Sequence, residues 1–396
     1  MRQFKLRLTL IPFFILVAAI VFLVVTPIFY PQDGHRNSST KNSADCRRDN
    51  NTIDATCFSR FAEHTVKTKG IDAAMEALAE ASRSDRNFSG ACHSIAHEIG
   101  QQAYQMFAAR KDIDITPRIT HCTYGFYHGF MEAAAQLEGD YKTISYFCDV
   151  IDKKLRATGL DTSAECYHGI GHGAVEDHNI KDKGNAEALA QNAIALCKKA
   201  VQTSEQMVNC ASGVFNGIAN AYVSGEYGFS PDKNNPAKIC RTQSFDVKKT
   251  CYAFMARVYL ALSGGNFHDA INFAQKTTES EFMDSIISNA AVIYAGRYLN
   301  DDLTPVVSSC RSLTYASRAP CIKGMVIGLV QSSAPEKEFD SGNRLCEFSL
   351  LSHEENGVCV REMFAALKMI YPREKFMDMC NRRNTSEQAL CFSIVR

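Results

Sequence analysis

Two histidine pairs, His93/His97 and His168/His172, each stand four residues apart. On a helix that spacing places both imidazoles on one face, one turn above the other. Neutral imidazole nitrogen is a ligand for zinc, iron or copper, so each pair presents two donors at once. His128 lies between the pairs with Glu132 four residues on, and Glu176 follows His172 at the same distance. A carboxylate so placed can ligate an ion, orient an imidazole, or act as general base on a water that the metal activates. The candidate metal ligands are therefore His93, His97, His128, His168 and His172, with Glu132 and Glu176 as candidate catalytic carboxylates. The predicted cofactor is a divalent transition metal, zinc, iron or copper, serving hydrolase or oxidoreductase chemistry. The competing explanation is structural: a buried polar ladder in which each histidine donates to a carbonyl or carboxylate of the next repeat.

These side chains need elements that hold them in register, and the chain supplies a repeat. Segments that begin at a cysteine line up: 122-CTYGFYHGFMEAAA, 166-CYHGIGHGAVED, 210-CASGVFNGIANAYV and 321-CIKGMVIGLVQ, each with glycine three and seven residues after the cysteine. Looser copies begin at Cys57, Cys251, Cys359 and Cys391. A copy at Cys92 fits with a one-residue shift, and a cysteine-free copy begins near Ser285. Starts at 122, 166, 210 and 251 are 44, 44 and 41 residues apart, the period of helix-hairpin arrays. Between them lie alanine-rich stretches of helical periodicity: 71-IDAAMEALAEAS, 185-NAEALAQNAIALCKK and 269-DAINFAQKTTESEFMDSIISNAA. The pattern predicts about nine hairpins, each a helix A, a polar loop and a helix B that starts at the marker cysteine.

Along helix B, the second, sixth and tenth positions after the cysteine form one stripe. It reads Tyr124-His128-Glu132, then His168-His172-Glu176, then Ser212-Asn216-Asn220; the shifted copy gives His93-His97-Gln101. Later copies read Ala253-Arg257-Ala261 and Lys323-Ile327-Gln331. Stacked repeats turn equivalent positions the same way, so four adjacent repeats gather seven of the eleven histidines between residues 93 and 178. His121, Asp177 and His178 fall off the stripe, and His35, His64, His268 and His353 are isolated. The glycine pairs lie on one helix face and admit a close neighbour, at about 1 kcal/mol per glycine in helix propensity.

All sixteen cysteines follow residue 45. Seven of them precede a helix B start, at 46, 148, 197, 240, 310, 346 and 380, which pairs them with 57, 166, 210, 251, 321, 359 and 391. Each pair would staple helix A to helix B across a polar loop, for about 3 kcal/mol in the loop-entropy model. Cys92 and Cys122 remain to bridge adjacent repeats. Cysteine-ligated zinc has no C-x₂-C spacing to rest on. So many paired cysteines suit an oxidising periplasm, lumen or cell exterior.

The N-terminus agrees with that compartment. Residues 8–30 carry no charge and are long enough to span a bilayer, with Arg2, Lys5 and Arg7 before them. The predicted organisation is a cytoplasmic stub (1–7), a transmembrane signal anchor (8–30), a flexible tether (31–45) and an extracytoplasmic helical-repeat domain (46–396). A cleaved signal peptide is the alternative, but the apolar run exceeds an h-region and no small-x-small site follows it. The fold class is all-α: a disulfide-stapled helical-hairpin repeat array, an open solenoid or a closed α/α toroid, behind one transmembrane helix. It resembles tetratricopeptide-type repeats at the level of fold alone, which carries no function. With 43 basic and 43 acidic residues, nothing points to nucleic acid. Phosphate-loop, dinucleotide, His-Glu-x-x-His and Gly-x-Ser-x-Gly motifs are missing. The predicted partners are the membrane and, in the non-enzymatic alternative, a peptide or protein on the concave face of a scaffold.

Overall fold

A computed structural model describes residues 42–395 apart from 111–112, 177–181 and 183. Among the described residues there are seventeen α-helices and no strand: α1 (Ala55–Lys69), α2 (Ile71–Ser84), α3 (Ser89–Arg110), α4 (Gly125–Glu138), α5 (Tyr141–Arg156), α6 (Ser163–Glu176), α7 (Ala186–Ala200), α8 (Ser204–Ser224), α9 (Phe245–Leu262), α10 (Phe267–Thr277), α11 (Met283–Gly296), α12 (Thr304–Arg311), α13 (Tyr315–Ser332), α14 (Glu338–Cys346), α15 (His353–Ile370), α16 (Arg373–Asn381) and α17 (Thr385–Val395). The B helices, α1, α3, α4, α6, α8, α9, α11, α13, α15 and α17, form one row in which each packs on the next. The A helices cover that row. Among them, α5 buries Tyr141, Ile144, Phe147, Cys148, Ile151 and Leu155 along one helical stripe.

The sixteen cysteines form the eight expected disulfides, including Cys92–Cys122, and none is free. Where each helix B begins differs from expectation. Cys166, Cys210, Cys251, Cys321, Cys359 and Cys391 sit inside the helix, because residues upstream of them start it. Thr203 with Gln206, and Ser352 with Glu355, form capping boxes well before Cys210 and Cys359. Cys122 lies outside its helix, in a left-handed run with Thr123 and Tyr124 at φ 56°, 55° and 59°. The stretch from 269 is two helices, since Thr278 and Glu279 take extended backbone between α10 and α11. Two repeats replace helix A by a 3₁₀ turn, at Pro117–Thr120 and Lys238–Cys240.

The glycines set how closely the row packs. A Cβ on Gly125 or Gly129 would collide with the carbonyls of His93 and His97, and one on Gly213 with that of His168. Helix α6 is pressed from both sides: Gly169 and Gly173 meet Tyr127 and Met131 of α4, while Gly171 meets Cys210 of α8. Gly171 thus joins the packing surface, which the four-residue glycine spacing alone does not reveal.

The row also bends back on itself. Thr120 Oγ1 donates to Ile370 O, Thr123 Oγ1 to Gln331 O and Tyr124 OH to Met369 O, each at 2.8 Å. Arg373 N donates to Thr158 O at 3.1 Å beside them. The segment before α4 is therefore clasped by the C-terminal ends of α13 and α15.

The expected stub, anchor and most of the tether lie outside the described residues. The last residues of the tether are ordered, as a 3₁₀ turn Ser43–Cys46 capped by Asn42. Among the described residues no helix is long and apolar enough to cross a membrane. Eight closed disulfides suit an oxidising, extracytoplasmic compartment.

Candidate metal centre

Close backbone approach among α3, α4 and α6 brings the imidazoles of three repeats together. The His128 ring stacks on His172 with centroids 4.3 Å apart and on His168 at 5.1 Å, and His93 meets His128 edge-on at 5.0 Å. One ring nitrogen from each of His128, His168 and His172 lies within 4.8 Å of the other two. Two nitrogens on one tetrahedral zinc stand about 3.3 Å apart, so small side-chain rotations bring the three into one coordination sphere. These three residues could hold a metal ion.

Hydrogen bonds fix which nitrogen each ring offers. A carbonyl only accepts, so His93 Nδ1–H donates to Cys122 O at 3.0 Å. Its Nε2 is then the acceptor, and His128 Nδ1–H donates to it at 3.2 Å. His128 Nε2 is left with its lone pair. A second relay sets His168: Ser212 Oγ donates to Asn209 O at 2.7 Å and therefore accepts from His168 Nδ1–H at 2.6 Å. His168 Nε2 keeps its lone pair and takes a 3.3 Å contact from Asn216 Nδ2. Among the described residues, His172 Nε2 is buried without a partner. Outer groups that orient ligand imidazoles in this manner are a feature of metal sites.

Electrostatics favour the ligand form. Burial holds His128 and His172 well below the ordinary histidine range, with neighbouring histidines adding to it. Burial, with some help from His93, brings His168 down to about 4. Burial lowers His93 as well. Neutral imidazole is the form that binds metal.

Of the seven residues singled out by sequence, three form this group. His93 stands behind His128 and supports it. His97 is turned to the next repeat, where its Nε2 meets Glu132 Oε2 at 2.7 Å. Glu176, raised by burial, accepts from the Tyr227 hydroxyl. The donor from His93 to the Cys122 carbonyl and the His97–Glu132 pair are rungs of the structural ladder, so ladder and triad coexist. His121 is buried at the clasp with Nδ1 unpartnered, away from the triad; Asp177 and His178 lie outside the described residues. Ser212, Asn216 and Arg257 belong to the stripe legible in the sequence, although their roles are not. Tyr227 has no periodic signal: it follows α8 at φ 56°.

Compared with family models, curated proteins and solved structures, the chain matches none. Its function has to be reasoned from the site.

Proposed function

We propose that His128, His168 and His172 bind one divalent transition metal, zinc in the first instance, through their Nε2 atoms, and that the centre is catalytic. The observation that carries this is the pair of relays that put the lone pairs of His128 and His168 at Nε2, free on His128 and met only by a long contact from Asn216 on His168, beside the buried, unpartnered Nε2 of His172. Three imidazoles are the donor set of a catalytic zinc site that keeps its fourth position open. All the thiols are committed to disulfides, which leaves no soft ligand to favour other ions. An ion held there would act as a Lewis acid and lower the pKa of a water in the open position. Glu176, one turn beyond His172 on α6, is the candidate base, and Tyr227 holds its carboxyl. Glu132 is held by His97 and positions the wall of the site.

The test is metal content. Tag-free domain, reconstituted separately with zinc, iron and copper salts and desalted, is expected to retain about one ion per chain by mass spectrometry. His128→Ala/His172→Ala, checked for folding by circular dichroism, is expected to retain less than about a tenth. Equal retention by the two proteins, or none by either, would overturn the centre.

The finer reading of location is a domain tethered outside the membrane by residues 8–30. Release of the full chain into the soluble fraction on alkaline carbonate extraction would sink it. A second functional reading, a scaffold for a peptide or protein, draws on one separate observation. A groove of about 310 Å³ among α3, α4 and α5 is lined by Tyr104, Phe107, Phe130 and Phe147, with Tyr146 61% exposed at its edge. A partner crosslinked in wild type and lost in Tyr146→Asp is its expected signature.

A further inference from the structure

One cation near the histidines has no counter-charge. Arg257 holds the sixth stripe position of α9, where α4 and α6 place His128 and His172. Phe254, one turn earlier on α9, packs its ring 5.9 Å from that of His168. The same face of α9 therefore looks onto the triad, and the Arg257 charge is felt at His172. Arg257 is exposed on that face, and its neighbours desolvate it enough to lower its pKa. Among the described residues no carboxylate or carbonyl meets it, whereas seven other arginines, Arg48, Arg83, Arg118, Arg156, Arg361, Arg382 and Arg383, are paired with carboxylates. The nearby acids are engaged elsewhere, Glu132 with His97 and Glu176 with Tyr227.

An exposed guanidinium with no acid paired to it, on a face turned to the histidines, is free to take an anion. Guanidinium matches carboxylate and phosphate through two parallel N–H···O bonds. We infer that Arg257 is the recognition group for an oxyanion, the carboxylate or phosphate of a small-molecule substrate, seated between α9 and the histidine centre. Asn216, whose Oδ1 is buried and unpartnered, lies between Arg257 and His172 in the stripe and contributes a neutral polar contact. The inference rests on the proposed centre for its catalytic meaning, but the oxyanion site stands on α9 by itself.

The test separates the two. Inorganic phosphate and acetate are titrated calorimetrically into zinc-treated and metal-free protein, as wild type, Arg257→Gln and Arg257→Lys. Wild type is expected to bind at least one of the two, and the preferred one identifies the oxyanion. Arg257→Gln is expected to weaken it at least about tenfold in both preparations, with Arg257→Lys between the two. Arg257→Met serves as the folding control. With an uncompensated charge removed it is expected to melt no lower than wild type, whereas an arginine with a purely structural role would lower the melting temperature. Binding in the metal-free protein that Arg257→Gln abolishes, together with failure to take up zinc, would leave the oxyanion site standing and refute the metal centre. Phosphate and acetate binding unchanged in Arg257→Gln, or no binding of either by wild type up to about 10 mM, would overturn the inference.

Discussion

Helices α6 and α13 are built on one plan. Each carries a disulfide cysteine, Cys166 or Cys321, followed by glycines three and seven residues on. In both, the glycines press against carbonyls of the preceding helix in the row, Tyr127 and Met131 for α6, Ser288 and Val292 for α13. Their stripes differ. Helix α6 presents His168, His172 and Glu176; α13 presents Lys323, Ile327 and Gln331. Lys323 is satisfied by Glu362 at 3.1 Å, and the Gln331 carbonyl by Thr123. In α6, His172 Nε2 is buried with no partner among the described residues. The glycine–cysteine plan thus fixes how near two helices come. What stands on the stripe decides whether that proximity is spent on packing or leaves donors waiting for a ligand.

The plan itself is the place to break the comparison hardest. Gly173→Ala and Gly328→Ala each drive a methyl into a backbone carbonyl, of Met131 and Val292 respectively. Both should destabilise by about 3 kcal/mol in urea unfolding. A mild effect at one position and a severe one at the other would mean the two helices do not share the plan. Metal should separate them next. Zinc at about a hundredfold over its Kd is expected to stabilise wild type by about 2.7 kcal/mol. Lys323→Ala/Gln331→Ala should keep that gain, and His168→Ala/His172→Ala should lose it, as read by thermal melting.

Acid sensitivity, on the other hand, should be shared by the histidine cluster and the clasp near α13. Burial brings His121 down to about 4 from 6.5, with Lys375, Glu336, Arg118 and Glu76 around it. A histidine held neutral binds fewer protons folded than unfolded, so its contribution is lost as pH falls from 6.5 toward 4. Glu338, which accepts from the Tyr371 hydroxyl, is pushed up to about 7 by burial. Its sign is opposite: its contribution is full below 4.5 and lost as pH rises through about 7. Each term is worth about 2 kcal/mol between pH 5 and 7, and they oppose one another. The triad histidines, also lowered by burial, lose stability in acid in every metal-free variant, so the clasp is read as a difference from wild type: His121→Gln should reduce the loss of stability between pH 7 and pH 5, and Glu338→Gln should enlarge it, by urea midpoints. Profiles parallel to wild type in both variants would refute the assignment. The smallest effect should come from the relay that α13 lacks. Ser212→Ala removes the acceptor of His168 Nδ1–H and should weaken zinc about tenfold without moving the metal-free melting temperature.

Much of this was legible in the sequence, for physical reasons. Local cysteine spacing defines short loops, so seven pairs follow from it and Cys92–Cys122 is what remains. A four-residue histidine spacing on a helix implies a shared face, and the repeat implies convergence of His128, His168 and His172. What spacing does not carry is which imidazoles are consumed by neighbours. His93 and His97 satisfy the same pattern as His168 and His172, yet a carbonyl and Glu132 engage them, and that depends on contacts between repeats. The left-handed run at Cys122, Thr123 and Tyr124 is equally opaque, because long-range bonds to Gln331 and Met369 accompany it. Helix starts moved because caps such as Thr203 and Ser352 act upstream of the cysteines.

That clasp has a consequence for assembly. The carbonyl that orients His93, and through it His128, belongs to Cys122, whose neighbours Thr120, Thr123 and Tyr124 are fastened to residues more than two hundred positions later. The staples are local and can close as the chain emerges, but the clasp awaits the final repeats. The centre is therefore wired to the far end of its own chain. A truncated protein with every early disulfide in place would carry the histidines yet lack the backbone that aims them, and metal uptake would serve as a certificate of completeness.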